Sequence, residues 1–382
     1  MIDFSLTEEQ IALQKMAREF SEKELKPNAA KYDKGEEFPE EIMKKAFEVG
    51  FLTCTIPKEY GGGGLGDIDT IIMSEELAAG CAGMYTTMMV NALANTPIIL
   101  YGSDEQKKKF LTPQNEKMSF ASFCLTEREA GSDAASLKTT AKKVGNEYVI
   151  NGSKCFISNG GIASFYVIFC LTDPEKGARG MSAVVVPRET PGLTVGKEED
   201  KMGHRASNTV ELFFEDMKVP VEKLLGGEGI GFIIAMRTLD KTRAPVGAAG
   251  VGVARAALEY AIEYAKTRKQ FGKPIALFQN TAFKIAQMAT EINAARHLVW
   301  HAAWLLEQGK PCGKESAMAK VYGSDVAMRV TTEALQILGG YGYMKDYPME
   351  KLMRDAKLLQ IYEGTNEIQQ LVISKETIGP IK

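Results

Sequence analysis

The sequence predicts an α+β chain in which an antiparallel β domain is inserted between two helical domains. Three observations carry this reading. Apolar residues recur at helical spacing up to about residue 115, the period shortens to that of strands between about 116 and 222, and long helical patterns return afterwards. The domain boundaries follow those changes of period: 1–115, 116–222 and 223–382.

In the first domain, Ser5 followed by Glu8 forms a capping-box pattern, and Ile11, Leu13, Met16, Ala17 and Phe20 trace one helix face. Phe38-Pro39 breaks the chain before a helix carrying Ile42, Met43, Ala46 and Phe47, which Gly50 ends. Two more helices cover about 67–79 and 84–93. Gly61, Gly63 and Gly66 satisfy G-x-G-x-x-G, but no buried strand precedes them, so the segment reads as a flexible loop and not a dinucleotide fingerprint. The glycine cluster at 226–231 fails for the same reason and reads as the opening of a helix.

The middle domain shows short apolar or alternating runs at 119–125, 148–150, 165–171, 182–187 and 209–214. Turn clusters such as Gly145-Asn146, Asn151-Gly152 and Pro191-Gly192 separate them. No helices alternate with these strands, which excludes a doubly wound sheet. Helical patterns over 235–239, 251–267, 281–308, 314–338 and 351–359 carry alanine-rich faces and predict a four-helix bundle.

Composition narrows the function classes. A net charge of −3 gives no bulk attraction to nucleic acid or acidic membranes. No apolar stretch is long enough to span a bilayer, and the N-terminus has neither signal-peptide nor transit-peptide character. Cys54, Cys81, Cys124, Cys155, Cys170 and Cys312 form no C-x-x-C pair, which points to reduced thiols in a cytoplasmic protein. His297 and His301 lie four apart but lack an acidic third ligand, so no metal site is expected.

The chemistry concentrates near the C-terminus, in L-M-R-D-A-K-L-L-Q-I-Y-E-G-T-N-E-I-Q from Leu352 to Gln369. An apolar run delivers Glu363 to a Gly-Thr-Asn break, where glycine permits a sharp turn and a close approach by a ligand. Thr365 or Asn366 is placed to cap the next helix. A carboxyl half-wrapped in apolar side chains there has a raised pKa and is a stronger base. The same letters also fit an ordinary helix–turn–helix with an exposed glutamate.

Other stretches offer ligand contacts on similar terms. Phe123 to Asp133 ends a strand at Leu125-Thr126 and passes into a small-residue loop containing Ser132, able to hold an anion or the edge of a flat ring, or simply to turn. In K-C-F-I-S-N-G-G, Phe156 and Ser158 lie two apart on a strand, able to cover and bond a ring, or to pack in a core. Arg268 in T-R-K-Q-F-G-K-P suits a phosphate, with Phe271 alongside, or a plain helix C-terminus. Asp240 and Arg243 form an i, i+3 pair, which on its own is a surface ion pair.

I-Y-E-G-T-N-E-I-Q, preceded by K-L-M-R-D-A-K, resembles the C-terminal signature of acyl-CoA dehydrogenases, and the likeness runs through nearly the whole chain. It implies an FAD-dependent enzyme with helical, antiparallel β-barrel and four-helix-bundle domains, and with Glu363 as the base that takes the α-proton of an acyl-CoA thioester. By the same resemblance Phe123, Leu125, Thr126, Ser132, Phe156 and Ser158 meet the flavin, with Ser132 also near the thioester or phosphates. The family commonly has tyrosine, tryptophan and threonine where this chain has Phe123, Phe156 and Ser158. Arg268, Gln270, Phe271, Gln279, Gln336, Gly339 and Gly340 are assigned to the adenine half of a neighbouring subunit's FAD, which implies a homo-oligomer, a tetramer. Thr365 and Glu367 join the cofactor set; Asp240, Arg243, Tyr362 and Gly364 join the substrate set. Some branches carry their base just before this arginine, but here Thr242 stands there, leaving Glu363 as the one candidate. The helix around 84–97 lines the acyl pocket by resemblance; it holds no Lys, Arg, Asp or Glu, and Asn91 either contacts substrate or bonds backbone. The expected substrate is a short-to-medium, branched or cyclic apolar acyl group, with electrons passing to an electron-transfer flavoprotein.

Overall fold

The computed structural model describes residues 5–35 and 37–380. The first helix, α1 (Glu8–Phe20), is capped by Thr7 and Gln10 and not by Ser5 and Glu8. The Thr7 hydroxyl accepts from the Gln10 N–H at 3.2 Å, and the Gln10 side chain accepts from the Thr7 N–H at 3.1 Å. Of the apolar face read from sequence, only Ala17 and Phe20 are buried; Ile11 and Met16 stay exposed. Helix α2 (Glu40–Glu48) buries Ile42, Met43 and Ala46, and Gly50 beyond it adopts φ +82°.

The glycine-rich segment is packed, not flexible. Gly63 donates to Thr53 O, Gly64 to Ile56 O and Leu65 to Cys54 O, and a Cβ at Gly62 would lie 2.2 Å from Ile56 O. Backbone approach of that kind excludes any side chain. Helix α3 (Asp67–Gly80) follows. Helix α4 (Ala82–Tyr101) is longer than its periodicity indicates and runs through Pro97, because burial along most of its length overrides proline's local penalty. Helix α5 (Asp104–Leu111) ends the domain's main elements.

The middle segment contains β1 (Phe120–Cys124), β2 (Thr140–Val144), β3 (Glu147–Ser158), β4 (Ala163–Leu171), β5 (Met181–Pro187), β6 (Leu193–Glu198) and β7 (Thr209–Pro220). They form one mixed sheet in the order β1-β4-β2-β3-β7-β6, with β5 on β4. The expected purely antiparallel arrangement is corrected at β1, which pairs with β4 in parallel, and at a parallel bridge from Thr140 to Leu171. The β2–β3 hairpin supplies the long crossover that a parallel pair requires. Strands β2 and β6 escaped the sequence reading because β2 buries only Ala141 and β6 nothing, so neither shows a clear apolar alternation.

Helix α6 (Gly231–Thr267) is one element through Pro245, where the sequence suggests two. It packs with α7 (Gln279–Glu307), α8 (Gly313–Leu338) and α9 (Met349–Leu359), and α10 (Asn366–Ile378) packs on α8. Glycines set the approach of the helices. A Cβ at Gly250 would sit 2.6 Å from Gly323 O on α8, and one at Gly252 would sit 2.2 Å from Glu75 O on α3. Arg255 on α6 and Arg296 on α7 then reach Glu75 and Glu76 on α3, tying the bundle to the first domain.

Because the close neighbour of Gly252 is backbone and not a flexible side chain, Gly252→Ala should destabilise the protein by about 1–3 kcal/mol through overpacking. A thermal melt checks this, and a melting temperature equal to wild type would show that α3 and α6 can separate freely.

Candidate active site

Glu363 lies in the turn between α9 and α10 and is half-buried, with φ +52°, followed by Gly364 at +90°. A left-handed non-glycine residue is strained, and αL geometry costs roughly 1–2 kcal/mol. The turn persists because buried donors hold it. Gln369 Nε2 donates to the Glu363 and Gly364 carbonyls at 3.1 and 3.0 Å, and Lys320 Nζ donates to the Gly364 carbonyl at 2.8 Å. Thr365 caps α10, accepting from the Ile368 N–H. Asn366, at the first helical position, is buried; its side chain bonds Lys320, Ser324 and Asp325.

The carboxylate itself faces α6. Thr242 Oγ1 donates to Glu363 Oε2 at 2.6 Å. Burial pushes the Glu363 carboxyl up to about 7, against the opposing pull of the Thr242 hydroxyl, the Arg243 guanidinium and the Lys320 ammonium. Arg243 is buried and paired with Asp240 at 2.6 Å, while its Nε has no partner. Tyr362 packs against the core and sets its ring edge-on to His204 at 5.9 Å. His204 is fixed in turn by Thr86 at 2.9 Å and by the Asp355 carbonyl at 3.0 Å. An acid–base group near neutral pH, beside one hydroxyl and a glycine turn, is equipped to move a proton from carbon.

A second set gathers where β1 ends beside β3. The Ser122 hydroxyl donates to Ser158 O, and the Cys155 N–H donates to Thr126 O at 3.0 Å, so Leu125-Thr126 and Phe156–Ser158 lie side by side. The buried Lys154 ammonium donates to Leu125 O at 3.0 Å and to Glu127 at 2.8 Å. Regular alternation does not present Phe156 and Ser158; the pairing shifts between Lys154 and Ile157, and Phe156 stands at φ +57° with 66% of its surface exposed. Phe123 instead packs tilted on Phe169 at 4.8 Å, a core contact. Ser132 is exposed on the loop after β1.

A third set lies at the far end of α6. Arg268 caps that helix and stacks its guanidinium over Tyr341 at 5.5 Å. Arg268, Gln270, Gly339 and Gly340 line one cleft of about 460 Å³. Phe271 beside it is 94% exposed at φ +50°, and Gln279 and Gln336 are exposed. Glu367 is also exposed, on the first turn of α10.

Asn91 does not face a ligand. Its Oδ1 accepts from the Ala121 N–H at 2.9 Å and its Nδ2 donates to Ser119 O at 3.0 Å, so it splices α4 to β1. The reading of Asn91 as a substrate contact is therefore corrected: a fully buried amide is spent on backbone groups.

Sequence reading missed Lys320, Gln369 and His204. Lys320 had a signal: Ser316, Ala317, Lys320, Ser324 and Ala327 follow helical spacing, which puts a lone lysine in a buried stripe of small residues.

Three family profiles match in order: acyl-CoA dehydrogenase N-terminal domain over residues 7–116, middle domain over 122–217 and C-terminal domain over 229–378. The chain belongs to the acyl-CoA dehydrogenase family. It is 49% identical to acryloyl-CoA reductase (NADH) of Anaerotignum propionicum, over 99% of this chain and 96% of that one. Butyryl-CoA dehydrogenase from Megasphaera elsdenii matches with a TM-score of 0.96 and 45% identity, over 99% of this chain and 100% of that one. A chain in the solved structure described as the electron transferring flavoprotein of Acidaminococcus fermentans matches at 0.97 and 47%, again over 99% and 100%. This dehydrogenase is thus an oxidoreductase of a family that dehydrogenates acyl-CoA with FAD. The exposed, strained Phe156 beside hydroxyl and backbone groups fits a flat ring, and the arginine-lined cleft fits a nucleotide end.

Proposed function

We propose that Glu363 is the base that removes the α-proton of a short-to-medium, apolar acyl-CoA, with FAD as cofactor and an electron-transfer flavoprotein as electron acceptor. The observation that carries this is a carboxyl raised to about 7 on a left-handed turn. The α-C–H of a thioester is weakly acidic, so a base must act together with stabilisation of the enolate-like charge. Ionised Glu363 takes the proton, a role worth roughly 10²–10⁴-fold. Its backbone N–H, released from helical bonding by the turn, donates to the thioester carbonyl; a donor of this kind is worth roughly 10²–10³-fold. Thr242 steadies the carboxylate and Arg243 serves the CoA side, beside Asp240, Tyr362 and Gly364. FAD, when bound, supplies the acceptor for the β-hydride.

Leu125, Thr126, Ser132, Phe156 and Ser158 hold the ring system in this reading, with Thr365 and Glu367 completing its surroundings. Arg268, Gln270, Phe271, Gln279, Gln336, Gly339 and Gly340 serve the adenine half of a neighbour's cofactor in a homotetramer. Two observations support the neighbour. Arg268 lies roughly 40 Å from Thr242 along α6, farther than one extended dinucleotide reaches. Phe271, Leu277, Phe283 and Tyr343 leave apolar surface exposed around the cleft, as a subunit contact would.

The acyl preference rests on α4. Its buried polar side chains are engaged: Thr86 with His204, Asn91 with β1, Asn95 with Gln114, and Thr96 with Ala92 O. None is left to pair a terminal carboxylate, whose unpaired burial is costly. The likeness to butyryl-CoA dehydrogenase supports the same size class. The likeness to acryloyl-CoA reductase favours a second reading, in which protonated Glu363 returns the α-proton and the enzyme runs as a reductase. NADH-linked reduction of acryloyl-CoA, against acyl-CoA-driven reduction of an electron-transfer flavoprotein, separates the two.

Glu363→Gln should keep its yellow FAD and lose at least about 10²-fold in kcat. In the wild type the ionised base is the active form, so kcat/KM should fall about tenfold per pH unit below about 7. Wild-type turnover in the variant would place the base elsewhere. On a substrate panel, kcat/KM should favour butyryl-, hexanoyl- and cyclic acyl-CoAs; a preference for glutaryl-CoA or palmitoyl-CoA overturns the acyl assignment. Arg268→Ala should release FAD while the chain stays folded, read by flavin absorbance and circular dichroism. A monomer that retains FAD tightly contradicts the shared site.

A further inference from the structure

Lys320 sits mid-way along α8 with none of its surface exposed. Its Nζ donates to the Gly364 carbonyl at 2.8 Å and to Asn366 Oδ1 at 2.9 Å, both neutral acceptors. Among the described residues no carboxylate lies within ion-pair distance of it, unlike the buried Lys154 and Lys351, which pair with Glu127 and Asp355. A buried ammonium held only by neutral groups is costly, and a lysine kept for packing alone would be replaced by an apolar side chain without that cost. We propose that Lys320 is a positioning residue for Glu363: its ammonium pins the Gly364 side of the turn and places an unpaired positive charge behind it that favours the carboxylate form of the base. This rests on the reading of Glu363 as base.

The surroundings sharpen the assignment. From α6, Arg243 also draws the Glu363 carboxyl down, ahead of Lys320, but it is tied to Asp240 at 2.6 Å and not to the turn. From α8, Asp325 Oδ1 is occupied by Asn366 and Gln360. From α10, Glu367 is exposed to solvent. Glu363 is the first of the charges that hold up the affinity of Lys320 for its proton, ahead of Asp325, while burial draws that ammonium down to about 8. Between about 7 and 8 both groups are charged, and the turn then carries a base and its counter-cation linked through one carbonyl.

The test measures kcat/KM against pH for wild type, Lys320→Met and Lys320→Gln, with FAD content and melting temperature recorded for each. Removing the cation favours the neutral acid, so both variants should move the acid limb upward by about one pH unit. Lys320→Gln, which keeps a donor for the Gly364 carbonyl, should retain more plateau kcat than Lys320→Met. A residue that only supports the fold would lower stability or kcat and leave the limb in place. An unmoved limb in the folded variants therefore overturns the proposal, and Lys320→Gln decides it if Lys320→Met fails to fold. Glu363→Gln run in parallel separates the two readings. If it is inactive and the limb is unmoved, the Lys320 inference alone fails; if it turns over like wild type, the base assignment fails and this inference with it.

Discussion

The site depends on two consecutive left-handed residues, Glu363 and Gly364, being held in place by buried side-chain donors. Strain of this kind costs on the order of 1–3 kcal/mol at Glu363, whereas Gly364 takes its positive φ without that penalty. A neutral hydrogen bond contributes about 0.5–1.5 kcal/mol net and one from a charged donor about 1.5–3 kcal/mol, so Gln369 and Lys320 together suffice to hold the turn. The geometry has a chemical consequence. It ends α9, starts α10, and leaves one carboxyl turned toward Thr242 on α6, half-buried and near neutral in pKa.

Buried charge recurs throughout the molecule and joins its parts. Glu75 and Glu76 on α3 gather Arg18 from α1, Arg255 from α6 and Arg296 from α7. Lys154 and Glu127 fix the turn after β1, where Glu127 also accepts the Lys138 and Thr139 N–H groups. Lys351 and Asp355 brace His204, which backs Tyr362 beside Glu363. Such pairs add little net stability over apolar packing, but losing one partner leaves an uncompensated charge, so they fix one arrangement of helices and loops.

Glycines make that arrangement close enough to work. Gly247 and Gly250 bring α6 against α8, and Gly252 brings α6 against α3, so Thr242, Glu363 and Lys320 meet across three elements. The α6–α8 approach puts a fully buried lysine behind the turn between α9 and α10.

By itself the sequence determined the order of helical and strand-like segments, because periods of 3.6 and 2 are local properties of the chain. It also marked Glu363 as a candidate, since an acidic residue before Gly-Thr-Asn is legible in I-Y-E-G-T-N, but the letters fit an ordinary helix break equally well and only the likeness to the acyl-CoA dehydrogenase signature singled it out as a base. Tertiary structure decided what periodicity cannot carry. Helices α4 and α6 continue through Pro97 and Pro245 because surrounding burial outweighs a lost backbone bond. Strand β1 pairs in parallel because of a crossover, and strands β2 and β6, with one buried residue between them, left little apolar signal to read. Asn91 bonds backbone because the start of β1, 28 to 30 residues away, supplies its partners. Lys320 and Glu363 are 43 positions apart in sequence, and only the packing of α8 under the turn brings one ammonium behind one carboxylate.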